Sequence, residues 1–125
     1  MYILRRLSRY YFLTLLTTVV IGVLCLMPIE DPPLKDVRFI DKWTHMVLFG
    51  GMCAVMLVEM TLSGRNDCRW VAPIAAGGFG GVVELLQAYC TTYRSGEWLD
   101  FVADAVGAVL VFLFALCLQH MGKAR

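Results

Sequence analysis

Asp41 and His45 stand four residues apart, Glu84 and Gln87 three apart, and Glu97, Asp100 and Asp104 follow at intervals of three and four. On a helix each of these sets occupies one face. Lys42 adjoins the first set, and Arg94 precedes the last. An imidazole among carboxylates can act as general base or acid, so His45, Glu84, Asp100 and Asp104 are the candidate catalytic residues. Asp41, Lys42, Gln87 and Arg94 are candidate ligand contacts. Arg94 offers a planar fork to phosphate or carboxylate, with Lys42 as a point charge. Asp41, His45, Glu84, Asp100 and Asp104 are also ligand types suited to a hard or borderline divalent ion. No HExxH or comparable signature accompanies them, so no metal or other cofactor is assigned, and a divalent cation stands as the alternative. No serine or cysteine has an evident base partner, which disfavours covalent catalysis.

The elements that must position these groups are apolar. Of 125 residues, 59% are hydrophobic and 17% charged, and mean hydropathy is +0.69. Soluble domains carry about 45–50% apolar residues and about a quarter charged ones. The chain reads as a single all-α integral membrane domain, residues 1–125, built on four transmembrane helices over about 10–27, 41–62, 70–89 and 98–119. No low-complexity tract, repeat or composition break divides it. A net charge of +1 with no concentrated basic face excludes a nucleic-acid partner; the bilayer is the expected one.

Charge in hydrocarbon costs roughly 2.5–3.5 kcal/mol per group on insertion scales. Only the first span, Tyr10 to Met27, is long enough to cross without charge; it is too long for a signal core and lacks a cleavage site after it. The uncharged stretches of the other helices, Met46–Val58, Trp70–Val83 and Ala105–Gln119, reach membrane length only when their flanking acids are included. Those acids must sit inside the bundle or at its mouth. Counting helical rise places His45, Glu84 and Asp104 roughly 6–10 Å below one surface.

Loop charges give the orientation. Arg5, Arg6, Arg9, Arg65, Arg69, Lys123 and Arg125 fall on one side, and Lys35, Arg38, Lys42 and Arg94 on the other among many acids. The positive-inside rule puts both termini in the cytoplasm and the polar cluster outside. Gly77 and Gly81 form a GxxxG pair, and Gly50, Gly51 and Gly107 add small surfaces for close helix approach; a homo-oligomer interface is the other use for such residues. Trp43, Trp70 and Trp98 suit interfacial belts. Glu59, near the inner end of the second helix, is expected to reach the cytoplasmic interface and is given no role. The five cysteines show no ligand spacing and read mainly as buried thiols, with a Cys25–Cys90 bridge left open.

Asp41, Glu84, Glu97, Asp100 and Asp104 oppose Lys42 and Arg94 alone. Either protons stay on some of the acids, or a cation or cationic ligand group completes the site. Helix-dipole placement accounts for Asp41 and Glu97, and Asp41 can cap its helix. The remaining charges fit either a functional site or a polar clasp between helices.

The ordered combination Asp41-Lys42-x-x-His45-x-x-x-Phe49-Gly50, Glu84-x-x-Gln87, Arg94 and Asp100-x-x-Ala103-Asp104-x-x-Gly107 resembles the VanZ-like family over roughly residues 41–111. One departure is Asp104, where that family usually has Asn. The resemblance implies a small multi-pass protein of the bacterial inner membrane with a role like low-level teicoplanin resistance, and supplies no mechanism. The expected function is therefore an envelope-associated membrane protein whose outward-facing polar pocket binds a polar or lipid-linked ligand, with a reaction on that ligand left open. A proton- or cation-coupled transporter or channel, and a non-catalytic structural accessory protein, are the alternatives.

Overall fold

The computed structural model describes residues 2–28, 39–92 and 96–125. Four α-helices account for most of them: α1 (Tyr2–Leu26), α2 (Ile40–Leu62), α3 (Val71–Cys90) and α4 (Trp98–Lys123), with a 3₁₀ turn at Asn66–Cys68. No strand occurs among the described residues. Helices α2, α3 and α4 are each long and apolar enough to cross a membrane, whereas the apolar part of α1, Tyr11–Leu26, is shorter. Helix α1 begins at Tyr2, ahead of the expected start at Tyr10, and ends at Leu26, within a residue of the expected Met27. The ends of α2 and α3 fall within a residue of expectation, and α4 runs four residues further, to Lys123.

Contacts between helices define an up-down-up-down bundle. Gly22 of α1 lies by Phe79 of α3, and Gly81 of α3 lies by Phe101 of α4. Gly50 of α2 approaches Gly107 and Val111 of α4, so α2 and α4 run parallel, with α1 and α3 antiparallel to them. The α2–α4 pair packs most extensively. A Cβ on Gly107 would run into the Met46 carbonyl and Cα, and one on Gly50 would come within 3.1 Å of the Gly107 oxygen. Small residues thus let two backbones touch where a larger side chain would hold them apart. The expected small-residue packing holds at these two positions but not at Gly51, whose missing Cβ faces open space. In α3 the tightest approach belongs to Gly80 rather than to the Gly77/Gly81 pair, because Gly80 is the position that faces Asp104.

The core is a stack of Phe49, Met52, Cys53 and Leu57 from α2 with Ala72, Ala76 and Val83 from α3, Ala108 from α4, and Ile21 and Cys25 from α1. Large apolar side chains such as Val47, Ile74, Leu85 and Phe114 face outward, as do Trp43, Trp70 and Trp98. An apolar exterior around a small-residue interior is what a bundle in lipid requires. None of the five cysteines is joined in a disulfide; Cys25 and Cys53 are buried, whereas Cys90 and Cys117 are exposed.

Glu59 departs from expectation. Its side chain does not extend toward an interface but is buried, at 1% exposure. It accepts hydrogen bonds from the Leu13 and Thr14 amides at 2.9 Å each, and from the Thr14 hydroxyl. Helix α2 thus sets an acceptor beside two amides in the middle of the continuous helix α1, which is why the carboxylate stays inside. Beside it, the Arg65 guanidinium sits 5.7 Å from the centroid of the Tyr11 ring.

Two outcomes follow for stability in detergent. Glu59→Leu removes the buried acceptor that joins α2 to the Leu13 and Thr14 amides and the Thr14 hydroxyl, and should lower unfolding free energy by about 1–3 kcal/mol, measured by thermal unfolding against Glu59→Gln, which retains an acceptor and loses less. Gly107→Val should cost about 1–3 kcal/mol through overpacking against Met46, while Gly51→Ala leaves the unfolding temperature unchanged.

Candidate functional site

The polar residues gather at the end of the bundle where α2 and α4 begin and α3 finishes. Helix α2 opens after Phe39, whose left-handed backbone (φ 59°) turns the chain into the helix without a side-chain cap. Asp41 is therefore not the cap; it lies in the first turn, where its charge complements the dipole. One turn on, His45 points inward, and its ring stacks on Phe49 with centroids 6.0 Å apart and planes 13° apart. Helix α4 carries Asp100 in its first turn, and Asp100 and Asp104 are both directed at α2.

His45 is the hub. Its Nδ1 lies 2.7 Å from Asp104 Oδ1 and 3.8 Å from Glu84 Oε1. Its Nε2 lies 3.9 Å from Asp100 Oδ2 and 4.0 Å from Asp41 Oδ1. One imidazole thus stands between two pairs of carboxylates, contributed by three helices. Lys42 closes the outer layer with Nζ 2.5 Å from Glu97 Oε2, 2.7 Å from Asp100 Oδ1 and 3.6 Å from Asp41 Oδ2. Glu84 also fixes the α3–α4 connection, since its Oε2 accepts the Glu97 amide at 2.9 Å. Gly96 makes that approach feasible: a Cβ there would fall 2.6 Å from the Glu84 carbonyl oxygen and 2.8 Å from the Ala88 Cβ.

Burial is graded. The Asp41 and Glu97 side chains are 55% and 50% exposed, Lys42 23%, Glu84 9%, Asp100 5% and Asp104 0%. Charge therefore runs continuously from an open rim to a closed floor. Asp104 is seated against bare Gly80, where an added Cβ would come within 2.5–2.9 Å of the Asp104 side-chain atoms. At the floor, Glu84 Oε1 and Asp104 Oδ2 are buried with no hydrogen-bond partner. Two hollows of about 610 and 460 Å³, both open and apolar, lie away from the site, beside Leu116–Lys123 at the far end of α4 and along Val19–Met27 of α1.

Of the candidates read from sequence, Asp41, Lys42, His45, Glu84, Asp100 and Asp104 come together. Gln87 does not join them: it is buried, and its Nε2 donates to the Cys25 carbonyl at 2.7 Å, tying α3 to the end of α1. Arg94 lies outside the described residues. Glu97 is absent from the site residues expected from sequence, yet it holds Lys42 with its side chain and Glu84 with its amide. Its i, i+3 spacing to Asp100 is a usable signal; the amide contact leaves none. Gly80 is hidden in the sequence by the more conspicuous glycine pair around it.

The His45–Asp104 contact predicts unequal substitutions. Asp104→Asn keeps an acceptor for the ring and should preserve the fold, whereas Asp104→Leu strands His45 and should cost about 3–5 kcal/mol as a broken buried pair. Unfolding in detergent monitored by helical circular dichroism compares the two. Comparison of the chain with family models, with curated proteins and with solved structures gives no match.

Proposed function

We propose that this chain is a multi-pass protein of the cell envelope that uses the cluster around His45 to bind the polar part of a lipid-linked ligand. The single observation that carries this reading is the unbroken gradient of charged contacts from the exposed rim of Asp41 and Glu97 to buried Asp104. Helix dipoles account for Asp41 and Glu97 singly, but a clasp needed only for packing does not call for Lys42 to gather three acids at a half-open rim. In a bilayer this end of the bundle lies at headgroup level, where one face of a ligand is wet and the other apolar.

The orientation that goes with it has four crossings and both termini in the cytoplasm, as the loop arginines favour. The packing of α1 antiparallel to α2, with Leu13 beside Glu59, and parallel to α3, with Cys25 beside Gln87, supports four crossings. The described acids outnumber Lys42, so the complementary ligand is rich in donors: hydroxyl or ammonium groups rather than bare phosphate. The resemblance to the VanZ-like family supports a bacterial inner membrane and a part in glycopeptide tolerance. His45 and Glu84 are placed to move a proton if the bound ligand reacts.

A through-channel is disfavoured by the interior. Among the described residues no buried polar side chain lies between the cluster and Glu59; Phe49, Met52, Cys53 and Leu57 fill that length of α2.

Cys90 should react with an impermeant maleimide on intact cells, and Cys68 only after permeabilisation; the reverse pattern puts the cluster in the cytoplasm and defeats the envelope reading. In cells that depend on this protein for teicoplanin tolerance, Glu84→Ala and Asp100→Ala should each abolish the tolerance at normal membrane abundance. Exchange of Asp100 and Lys42, which pair at 2.7 Å, should not restore it, whereas a purely structural clasp is repaired by restored pairing.

A further inference from the structure

Glu84 Oε1 lacks a partner although its side chain is 9% exposed, and it points at the His45 ring, 3.8 Å from Nδ1; Asp104 Oδ2, on a side chain that is 0% exposed, is likewise unpartnered and faces Gly80. Such oxygens are costly to bury without a donor or a cation. They belong to residues whose ligating atoms, together with a ring nitrogen of His45, lie within 4.8 Å of one another. We propose that His45, Glu84 and Asp104 bind a divalent transition-metal ion of the zinc or manganese kind at the floor of the cluster. The inference rests on reading the cluster as a ligand site and adds an ion to it.

The donor set selects the ion. One imidazole nitrogen and two carboxylates suit zinc or manganese, while calcium asks for six to eight oxygens that this floor does not offer. Zinc takes histidine nitrogen at about 2.0–2.1 Å and carboxylate oxygen at about 2.0–2.2 Å, and with three protein donors a position is left for water or ligand. His45 Nδ1 already faces Asp104 Oδ1 at 2.7 Å and Glu84 Oε1 at 3.8 Å, so an ion would take the place of the proton between the ring and Asp104. Glu84 is already oriented as a ligand, because the Glu97 amide holds Oε2 and leaves Oε1 directed at the ring.

The surroundings of the ring fit as well. An imidazole that ligates through one nitrogen commonly donates its other N–H to a carboxylate, which fixes the tautomer and strengthens the ligand. His45 Nε2 lies 3.9 Å from Asp100 Oδ2 and 4.0 Å from Asp41 Oδ1, outside direct hydrogen-bond reach, so ligation must draw the ring toward Asp100, which Lys42 anchors at 2.7 Å. Asp100 is thus a positioning residue, while Asp104 and Glu84 are ligands. Phe49, stacked on the ring, keeps its plane from rotating.

The full chain, purified in mild detergent without chelator, should carry stoichiometric zinc or manganese by elemental analysis. Chelator treatment should lower its unfolding temperature, and added Zn²⁺ or Mn²⁺ should restore it saturably. Co²⁺ should give ligand-field absorption without thiolate charge transfer, which separates this site from the free cysteines. Glu84→Gln should lose the ion, and Asp100→Asn should weaken it by about 10–100-fold while still binding. Wild-type protein that is metal-free and gains no stability from either ion overturns the inference, as does a thiolate-type cobalt spectrum. The wild-type titration needs no variant to fold. If metal-free protein still confers tolerance that Asp41→Asn or Lys42→Met removes, the ion is disproved and the proposed function survives. A stoichiometric ion with tolerance unaffected by those same two changes has the opposite meaning.

Discussion

The contact between His45 and Asp104 sets the geometry of this bundle, because two polar groups buried inside one end of an apolar structure must find each other or remain unsatisfied. Bringing them within 2.7 Å requires α2 and α4 to approach at backbone distance, and Gly50 and Gly107 are the residues that allow it. Seating Asp104 requires α3 to present a bare backbone, which Gly80 does. The small residues and the charged residues are therefore not separate features. Each glycine contact lies within a turn or so of the group whose burial it permits.

Around that contact the charges are arranged in layers. Lys42 sits above the imidazole and gathers Asp41, Glu97 and Asp100, so the outer acids share a cation that the inner ones do not reach. Glu84 works in two directions, binding the start of α4 through the Glu97 amide and turning its second oxygen toward the ring. The same side chain thus closes the α3–α4 connection and contributes to the floor. Removing it would open the connection and change the charge balance together.

Helices α2, α3 and α4, and the residues that face one another across them, are legible in the sequence because hydropathy and charge act in concert there. A run too short to cross unless it includes its acids reveals that those acids are internal, and the i, i+4 spacing reveals which face they share. His45, Glu84, Asp100 and Asp104 can be grouped on that basis alone. Glu59 cannot: a lone carboxylate near a helix end reads as a surface group, and its partners are two backbone amides of α1, which carry no sequence signature. Gln87 fails for a related reason, since its partner is the Cys25 carbonyl. The i, i+3 pattern places Gln87 beside Glu84 in register but cannot show that α1 claims its side chain. Side chain-to-side chain pairing leaves a trace in residue type, and side chain-to-backbone pairing leaves none.

Glu59 and His45 lie on the same helix fourteen residues apart, a separation of about 21 Å along its axis. One is fastened to α1 and the other to α4. Helix α2 is accordingly a strut pinned at both ends to different neighbours. Piston-like sliding along its length would break a buried polar contact at one pin or the other, whichever neighbour it moved against. The low-cost deformation left to the bundle is a splaying of the rim, where Asp41, Lys42 and Glu97 can exchange partners with water while both pins hold. Mechanically, this is a vessel with a fixed base and a compliant lip.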